Sequence, residues 1–204
     1  MSEINEQEIF AELEKDELNE ELIKDNKYPF IFAGKKYRIV MPNQMNLVKA
    51  KRYKYQVFAQ LVTEGVPVEK KWIKILKETQ NVDIIEMNDK IRRIRNELNQ
   101  IAISKAKTKD SEVKTRAKID EKFKEIETQF LKLVYERNDY LSPTAEAQAK
   151  EEYYYYLTFL CTEFQVDEKE DKWEKVWKNF DVYQKEQSDL IYIAMGKLVD
   201  FISY

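Results

Sequence analysis

The chain has 204 residues, with 35 Lys and Arg against 38 Asp and Glu, no His, and a formal net charge of −3. The lack of His excludes Ser-His-Asp and Cys-His catalysis and His-ligated zinc, and a single Cys excludes an internal disulfide and an all-cysteine zinc site. Three Gly are too few for a P-loop or a Rossmann fingerprint. The sequence therefore predicts a protein that is not an enzyme, with no catalytic residue, no cofactor and no metal ligand, and an enzyme that uses only Tyr, Lys and carboxylates is a minor alternative.

An acidic N-terminal segment is predicted over residues 1–27, and its first 26 residues hold ten Asp and Glu against two Lys, a net charge of −8. Ile9 and Leu13, like Leu18 and Leu22, lie four apart, which is compatible with a one-sided helix. The acidity is equally compatible with a tail that folds only on binding. The segment lacks the pattern of a signal peptide, and no apolar run in the chain approaches the roughly 18 residues of a membrane span. We therefore expect a soluble, cytoplasmic protein with no membrane contact.

A β-hairpin is predicted over residues 28–41, YPFIFAGKKYRIVM. Two runs rich in strand-forming residues, residues 30–32 and 37–40, flank AGKK, in which Gly34 provides the positive φ angle that a tight turn needs. This is the only clear strand signal in the chain. Because two strands are marginally stable alone, we expect the hairpin to pack on a helix or to extend the sheet of a partner.

Two helices are predicted after the hairpin. The first has Asn43 as its N-cap and ends before Gly65, a residue type favoured just beyond a helix. Its buried face consists of apolar residues at a spacing of three or four: Leu47, Ala50, Tyr53, Val57 and Leu61. A shorter helix follows at about residues 68–79, so that residues 28–80 form one region, a hairpin with two helices.

The strongest periodicity lies in residues 81–141. Its first half has apolar residues spaced 3, 4, 3, 4, 3: Ile84, Met87, Ile91, Ile94, Leu98 and Ile101. Its second half has apolar residues spaced 4, 3, 4, 3: Ile119, Phe123, Ile126, Phe130 and Leu133. These are heptad seams, and the polar residues 105–111 interrupt them. The break favours a long antiparallel coiled-coil helical hairpin over one long helix that dimerises in parallel.

Aromatic-rich helices are predicted in residues 142–204, packing on residues 28–80. The first of them covers residues 144–164, an acidic linker follows over residues 167–171, and the last helix covers residues 188–204. Four apolar residues lie between the linker and the last helix: Trp173, Val176, Trp177 and Phe180. The fold class is therefore mainly α, with an N-terminal β-hairpin followed by a helical bundle.

Four consecutive tyrosines, residues 153–156, span slightly more than one helical turn, so their rings point in different directions. The core is favoured for Tyr153 and Tyr156. An interface is favoured for Tyr154 or Tyr155, because Tyr is large, rigid and half polar. Cys161 has apolar neighbours, which favours a core thiol over a nucleophile.

Charge is distributed in blocks along the chain. Residues 35–80 carry eleven Lys and Arg against three Glu, a net charge of +8, and residues 163–189 carry nine acidic against five basic residues, a net charge of −4. Such blocks attract each other or attract partners. We therefore expect the acidic first 26 residues to fold over the basic region until a partner displaces them.

Basic and aromatic side chains alternate at the start of the first helix, in Lys49, Lys51, Arg52, Tyr53, Lys54 and Tyr55. Proteins that bind single-stranded nucleic acid use this combination. Phosphate binding, however, draws its strength from a net positive surface, and the whole chain is slightly negative. A nucleic-acid-binding regulator is thus an alternative function, and nucleic acid is not the expected partner.

Several segments resemble small assembly proteins of tailed bacteriophages, of the tail or baseplate assembly-chaperone type. FAGKKYRIV, residues 32–40, looks like the opening strand pair of such proteins, and PNQMNLVKAKRYKYQVFAQLVTEG, residues 42–65, looks like the helix that follows. YERNDYLSPTA, residues 135–145, and LTFLCT, residues 157–162, are also similar. The resemblance covers about residues 28–204.

The resemblance implies a non-enzymatic protein of virion assembly that binds another tail or baseplate protein, as a chaperone or as a minor structural component. It implies a place in the host cytoplasm or in the virion, and homo-oligomers are compatible with it. A coiled-coil adaptor or oligomerisation module without a phage connection is the alternative. The side chains predicted to contact the partner are basic or aromatic: Lys49, Arg52, Tyr53, Tyr154, Tyr155, Trp173 and Trp177.

Overall fold

The computed structural model describes residues 26–108, 113–167, 169 and 171–203. The chain divides into two compact units. Among the described residues, the first contains residues 26–56 and those from Lys150 onward, and the second lies within Val57–Ala149. The predicted acidic segment lies outside the described residues as far as residue 25.

The described residues are mainly helical and include an antiparallel β-hairpin near their start, which confirms the predicted class at this level. In chain order the elements are β1 (Lys27–Phe32), β2 (Lys35–Val40), α1 (Gln44–Thr63), α2 (Glu69–Gln80), α3 (Ile84–Lys107), α4 (Val113–Leu141), α5 (Ala145–Cys161), β3 (Thr162–Asp167), β4 (Lys172–Lys175), α6 (Phe180–Lys185) and α7 (Asp189–Ser203).

The hairpin of β1 and β2 is closed by a two-residue turn. Phe32 pairs with Lys35, and the two residues between them, Ala33 and Gly34, have φ angles of 48° and 73°. Two successive positive φ angles define a type I′ turn, whose twist matches that of the flanking strands. The predicted role of Gly34 is confirmed, and Ala33 takes the same unfavourable region although it has a Cβ atom.

The prediction that the hairpin holds the only strands is wrong. The chain forms a four-stranded antiparallel sheet in the order β1-β2-β3-β4. The predicted helix over residues 144–164 ends at Cys161, and Thr162 and Phe164 pair with Ile39 and Tyr37 of β2. Two strands are marginal alone, so β3 and β4 provide within the same chain the additional pairing that the hairpin lacks.

The core of the first unit lies between one face of the sheet and its helices. Alternate residues of the hairpin point into it, including Tyr28, Phe30, Tyr37 and Ile39, because successive side chains of a strand lie on opposite faces. The helices contribute further buried apolar side chains: Ala50, Leu157, Cys161, Tyr183, Leu190, Ile191, Ala194, Leu198 and Phe201. This unit contains every predicted partner-binding residue.

The second unit contains the two helices with heptad seams. Lys105 of α3 forms an ion pair of 2.6 Å with Asp120 of α4, and Arg137 donates a hydrogen bond of 3.3 Å to Asn88. The end of α3 thus contacts the start of α4, and the start of α3 contacts the end of α4, so the two helices run in opposite directions. Within the seams, Ile84, Ile91, Ile101 and Ile126 are buried.

The ends of the helices follow local capping rules. The Asn43 side chain accepts a hydrogen bond of 2.9 Å from the backbone N–H of Asn46, which confirms Asn43 as the N-cap of α1. Beyond α1, Gly65 has a φ angle of 92°, as the predicted helix end requires. Within the described residues, no helix has both the length and the apolar character needed to cross a bilayer.

Candidate partner-binding surface

One side of α1 is exposed and combines apolar with basic side chains. It consists of Met45, Val48, Lys49, Arg52 and Tyr55, which we call the α1 face. Met45 and Tyr55 are 66% and 68% exposed, although both are large and apolar in most of their surface. Residues three, four and seven apart lie on the same side of a helix, so these five side chains form one continuous surface.

The opposite side of α1 fixes the helix in the first unit. Ala50 is fully buried, Leu47 packs against the core, and the ring of Tyr53 stacks on Tyr156 at 4.8 Å. The Tyr53 hydroxyl donates a hydrogen bond of 3.1 Å to Glu152. Burial, with the Glu152 carboxylate next in importance, raises the pKa of Tyr53 to about 12, so that this hydroxyl stays a donor.

The electrostatics of the α1 face are uncompensated among the described residues. Helix α1 contains four basic residues and no acidic one. Within the described part of the chain, no ion pair involves Lys49, Lys51 or Arg52. A positive surface of this kind attracts acidic partners over several ångströms and orients them before contact.

The four tyrosines of α5 are all half-buried. Tyr156 lies in an aromatic cluster with Tyr53 and Phe180. The ring of Tyr155 packs on that of Tyr183 at 4.3 Å, and its hydroxyl donates a hydrogen bond of 3.4 Å to the Tyr183 carbonyl. Tyr155 therefore takes part in the core of the unit, even though one edge reaches the surface.

Tyr153 packs against the core of the unit, as predicted, and Tyr154 is the member of the run that does not. Their rings are 5.3 Å apart in an edge-to-face arrangement, and the Lys150 ammonium group lies 5.9 Å from the centre of the Tyr154 ring. Tyr154 is thus the member of the run whose predicted interface role is compatible with its surroundings.

The two predicted tryptophans occupy different places. Trp177 is 3% exposed, packs edge-to-face on Tyr183 at 4.5 Å and donates a hydrogen bond from its indole to Glu186. It lies inside the core, so in this structure a partner does not reach it. Trp173 lies on the outer face of the sheet, where its indole donates a hydrogen bond of 2.7 Å to Asp171.

A small charged network covers the outer face of the sheet beside Trp173. The Arg38 guanidinium lies 4.2 Å from the centre of the Trp173 ring and donates to Glu163 at 2.8 and 2.9 Å, while Lys175 contacts the other Glu163 oxygen at 3.0 Å. Burial acts to raise the pKa of Glu163, but hydrogen bonds from Arg38 and Lys175 outweigh it and hold that pKa below its ordinary value. The network joins β2, β3 and β4.

Glu163→Gln should therefore destabilise the protein at neutral pH and less so in acid. Because the pKa of Glu163 is lower in the native than in the unfolded protein, its carboxylate stabilises the fold at pH values above the unfolded pKa of about 4.5. This stabilisation is lost as the pH falls through the native pKa. Urea unfolding of both proteins between pH 7 and pH 3 measures the difference, which should shrink below about pH 4.5. Glu174→Gln, which removes an exposed carboxylate from β4, controls for net charge; a Glu163 difference that stays constant with pH would contradict the expectation.

The structure brings together only part of the predicted site. Lys49 and Arg52 share the α1 face, and Tyr53 lies behind them on the buried side of the same helix. The predicted partner-binding residues do not include Met45, Val48 or Tyr55, although Tyr55 belongs to the predicted run of basic and aromatic residues. The spacing of positions 45, 48, 52 and 55 contains the signal for a second stripe, but the more apolar stripe through Leu47 and Ala50 dominates the pattern.

Two further features bear on chemistry, the thiol of Cys161 and a groove in the second unit. Cys161 is buried, and its burial raises the pKa of the thiol to about 11, so it is a core residue as predicted. Among the described residues there is no group of three Cys, Asp or Glu arranged to hold a metal ion. In the second unit an open groove of about 570 Å³ lies between Ile101 and Ile119, with Lys114, Lys118 and Lys122 along it.

Comparisons with family models, with curated proteins and with solved structures found no match to this chain.

Proposed function

We propose that the chain is a non-enzymatic assembly protein of a bacteriophage tail or baseplate, a chaperone or minor structural component, and that it binds another virion protein through the α1 face. The phage class rests on the resemblance of residues 28–204. The observation that carries the binding role is the α1 face itself. Large apolar side chains lie there in the open beside cations that form no ion pair among the described residues.

The chemistry of the α1 face defines the partner that fits it. Burial of Met45, Val48 and Tyr55 stabilises a complex by roughly 25 cal/mol for each Å² of apolar surface removed from water. Lys49 and Arg52 favour carboxylates at the same place. The best partner is therefore an amphipathic helix with Leu or Ile on one side and Asp or Glu beside them, which docks along α1.

The direct test is to co-express the tagged chain with each tail-tube, tape-measure and baseplate protein encoded beside it. One of these proteins should form a stoichiometric complex that survives size-exclusion chromatography. A complex with none of them, or neighbouring genes that encode no virion protein, would contradict the proposal.

For the second unit, we propose that the seams of α3 and α4 form an antiparallel coiled coil within one chain. Support comes from the buried Ile91, Ile101 and Ile126 and from the ion pair between Lys122 and Glu97 at 3.3 Å. Residues buried within a chain are not available to a second chain. This arrangement favours a partner-binding protein with an internal helical hairpin over a module that oligomerises through its seams.

Ile94→Asp distinguishes these two arrangements. Ile94 is half-buried in the first seam, so the carboxylate should cost about 2 kcal/mol of stability. Sedimentation should give a monomer before and after the substitution, with lower helix content in the variant by circular dichroism. Asn96→Asp, at an exposed position of α3, is the control. A dimer that dissociates on Ile94→Asp would instead favour the oligomerisation module.

A further inference from the structure

The chain itself contains a segment with the chemistry that the α1 face requires. Residues 1–25 carry ten Asp and Glu against two Lys, a net charge of −8. They also contain Leu18 and Leu22, four residues apart, and Ile23 next to them. If these residues are helical, Leu18 and Leu22 lie on one side with carboxylates around them. That is an acidic amphipathic segment, the counterpart of the apolar and basic α1 face.

Asn26, where the described chain begins, lies close to the start of α1. The backbone N–H of Met41 donates a hydrogen bond of 2.9 Å to the carbonyl of Asn26. Met41 lies three residues before Gln44, where α1 begins. Residues 1–25 therefore join the described chain at Asn26, in the unit that contains the α1 face.

The length of the segment is sufficient to cover the face. At about 1.5 Å per residue, α1 measures about 17 Å from Gln44 to Tyr55, and residues 1–25 would measure about 38 Å as a helix. The local concentration of a directly connected segment is in the millimolar range, so a dissociation constant of about 1 mM already keeps about half of the chains docked. Both the charge and the connection favour this segment over a separate molecule.

We infer that residues 1–25 dock on the α1 face of their own chain, with Leu18 and Leu22 against Met45, Val48 and Tyr55 and with carboxylates near Lys49 and Arg52. This inference rests on the proposed function in one respect, that the α1 face is a binding surface. Docking in the same chain shields the apolar side chains until a virion protein with the same chemistry displaces the segment. It thereby regulates the access of the partner.

The test is carbodiimide cross-linking of the full chain at low salt, followed by mass spectrometry. The reagent joins a Lys amine to a neighbouring carboxylate with loss of water, so it reports direct ion-pair contacts. Amide links from Lys49 or Lys51 to residues 1–25 should be at least fivefold more abundant than links from Lys74, an exposed lysine of α2. Links no more frequent at Lys49 and Lys51 than at Lys74 would overturn the inference.

Two further measurements define the occupant. A mixture of ¹⁵N-labelled and unlabelled chain separates links within one chain from links between two, and links only between chains would assign the face to a second copy and overturn docking in cis. Leu18→Asp with Leu22→Asp keeps the segment acidic but removes its apolar side. The links should then fall at least threefold, and unchanged links would mean that charge alone attracts the segment.

These outcomes are independent of the proposed function because no partner is present in the experiment. If the cross-links are absent but partner binding requires the α1 face, the inferred docking is overturned and the proposed function stands. If the cross-links are abundant but changes in the α1 face do not alter partner binding, the inferred docking stands and the proposed function is overturned.

Discussion

Tyr183→Ala should lower the free energy of unfolding of the first unit by about 3–5 kcal/mol. Tyr183 is fully buried, and its ring lies 4.3 to 5.8 Å from the rings of Tyr155, Phe159, Trp177 and Phe180. Removal of the ring leaves a cavity lined by aromatic side chains, and these large groups relax only partly into it. Urea unfolding followed by near-ultraviolet circular dichroism measures the loss, because that signal reports the packing of the aromatic cluster.

Tyr183→Phe is the matched control for this prediction. The Tyr183 hydroxyl is buried and has no hydrogen bond of good geometry within the described residues, although the Thr158 side chain lies close to it, so its removal costs at most a weak interaction. We expect the Phe variant to be as stable as the wild type, or more stable by about 1 kcal/mol. A Phe variant as unstable as the Ala variant would mean that the hydroxyl, and not the ring, holds the cluster together.

The sequence predicts local features well, and the aromatic cluster is not one of them. Helix periods, the turn at Gly34 and the N-cap at Asn43 depend on contacts between residues close in the chain, and local rules suffice for them. The aromatic cluster joins Tyr53 of α1 with Tyr156 of α5 and Phe180 of α6. Such pairings are not local, and nothing in the spacing of these residues indicates which rings meet.

The missed strands have the same cause. TEFQVD, residues 162–167, alternates Thr, Phe and Val with polar residues, which is a strand pattern, but it directly continues an aromatic helix. The helix ends at Cys161, and the residues that follow pair with β2, as Glu163 does with Arg38, 125 positions away in the chain. Tertiary pairing therefore overrides the local preference at this point.

The charge pattern of the sequence predicts the basic residues of the α1 face, but the hydropathy pattern does not predict its exposed apolar residues. Lys49 and Arg52 belong to a basic run that is visible in the sequence. Exposure of Met45 and Tyr55 depends on which side of α1 the sheet and α5 cover, since both sides of this helix contain apolar residues. Only the packing of Ala50 and Tyr53 decides which stripe is buried.

Lys49→Glu combined with Arg52→Glu should reduce binding of the virion partner at least tenfold. Both side chains are exposed on α1, so the fold and the helix content should be unchanged. The two new carboxylates repel an acidic partner at the place where the cations attracted it, and like charges at a contact cost several kcal/mol. The measurement is titration calorimetry with the purified virion protein that forms the complex, at 50 and 300 mM salt.

Lys71→Glu combined with Lys74→Glu makes the same change in net charge on exposed positions of α2, also three residues apart. This control should bind the partner as the wild type does. If it loses as much affinity as the α1 variant, the attraction comes from the charge of the whole chain and not from the α1 face. The salt series provides a second criterion, because the affinity of the wild type should fall with salt more steeply than that of the α1 variant.

The direction of the change in partner affinity also distinguishes variants of the α1 face from variants of the segment that is inferred to cover it. Leu18→Asp with Leu22→Asp weakens docking of residues 1–25 and should increase the affinity for the partner. The apparent affinity rises in proportion to the fraction of chains in which the α1 face is free. Lys49→Glu with Arg52→Glu weakens both this docking and partner binding. The gain from releasing the segment is the reciprocal of the fraction of chains in which the face is free, about twofold when half of the chains are docked, whereas the loss of the partner's own contacts should be larger than tenfold. The charge reversal should therefore reduce binding in spite of releasing the segment.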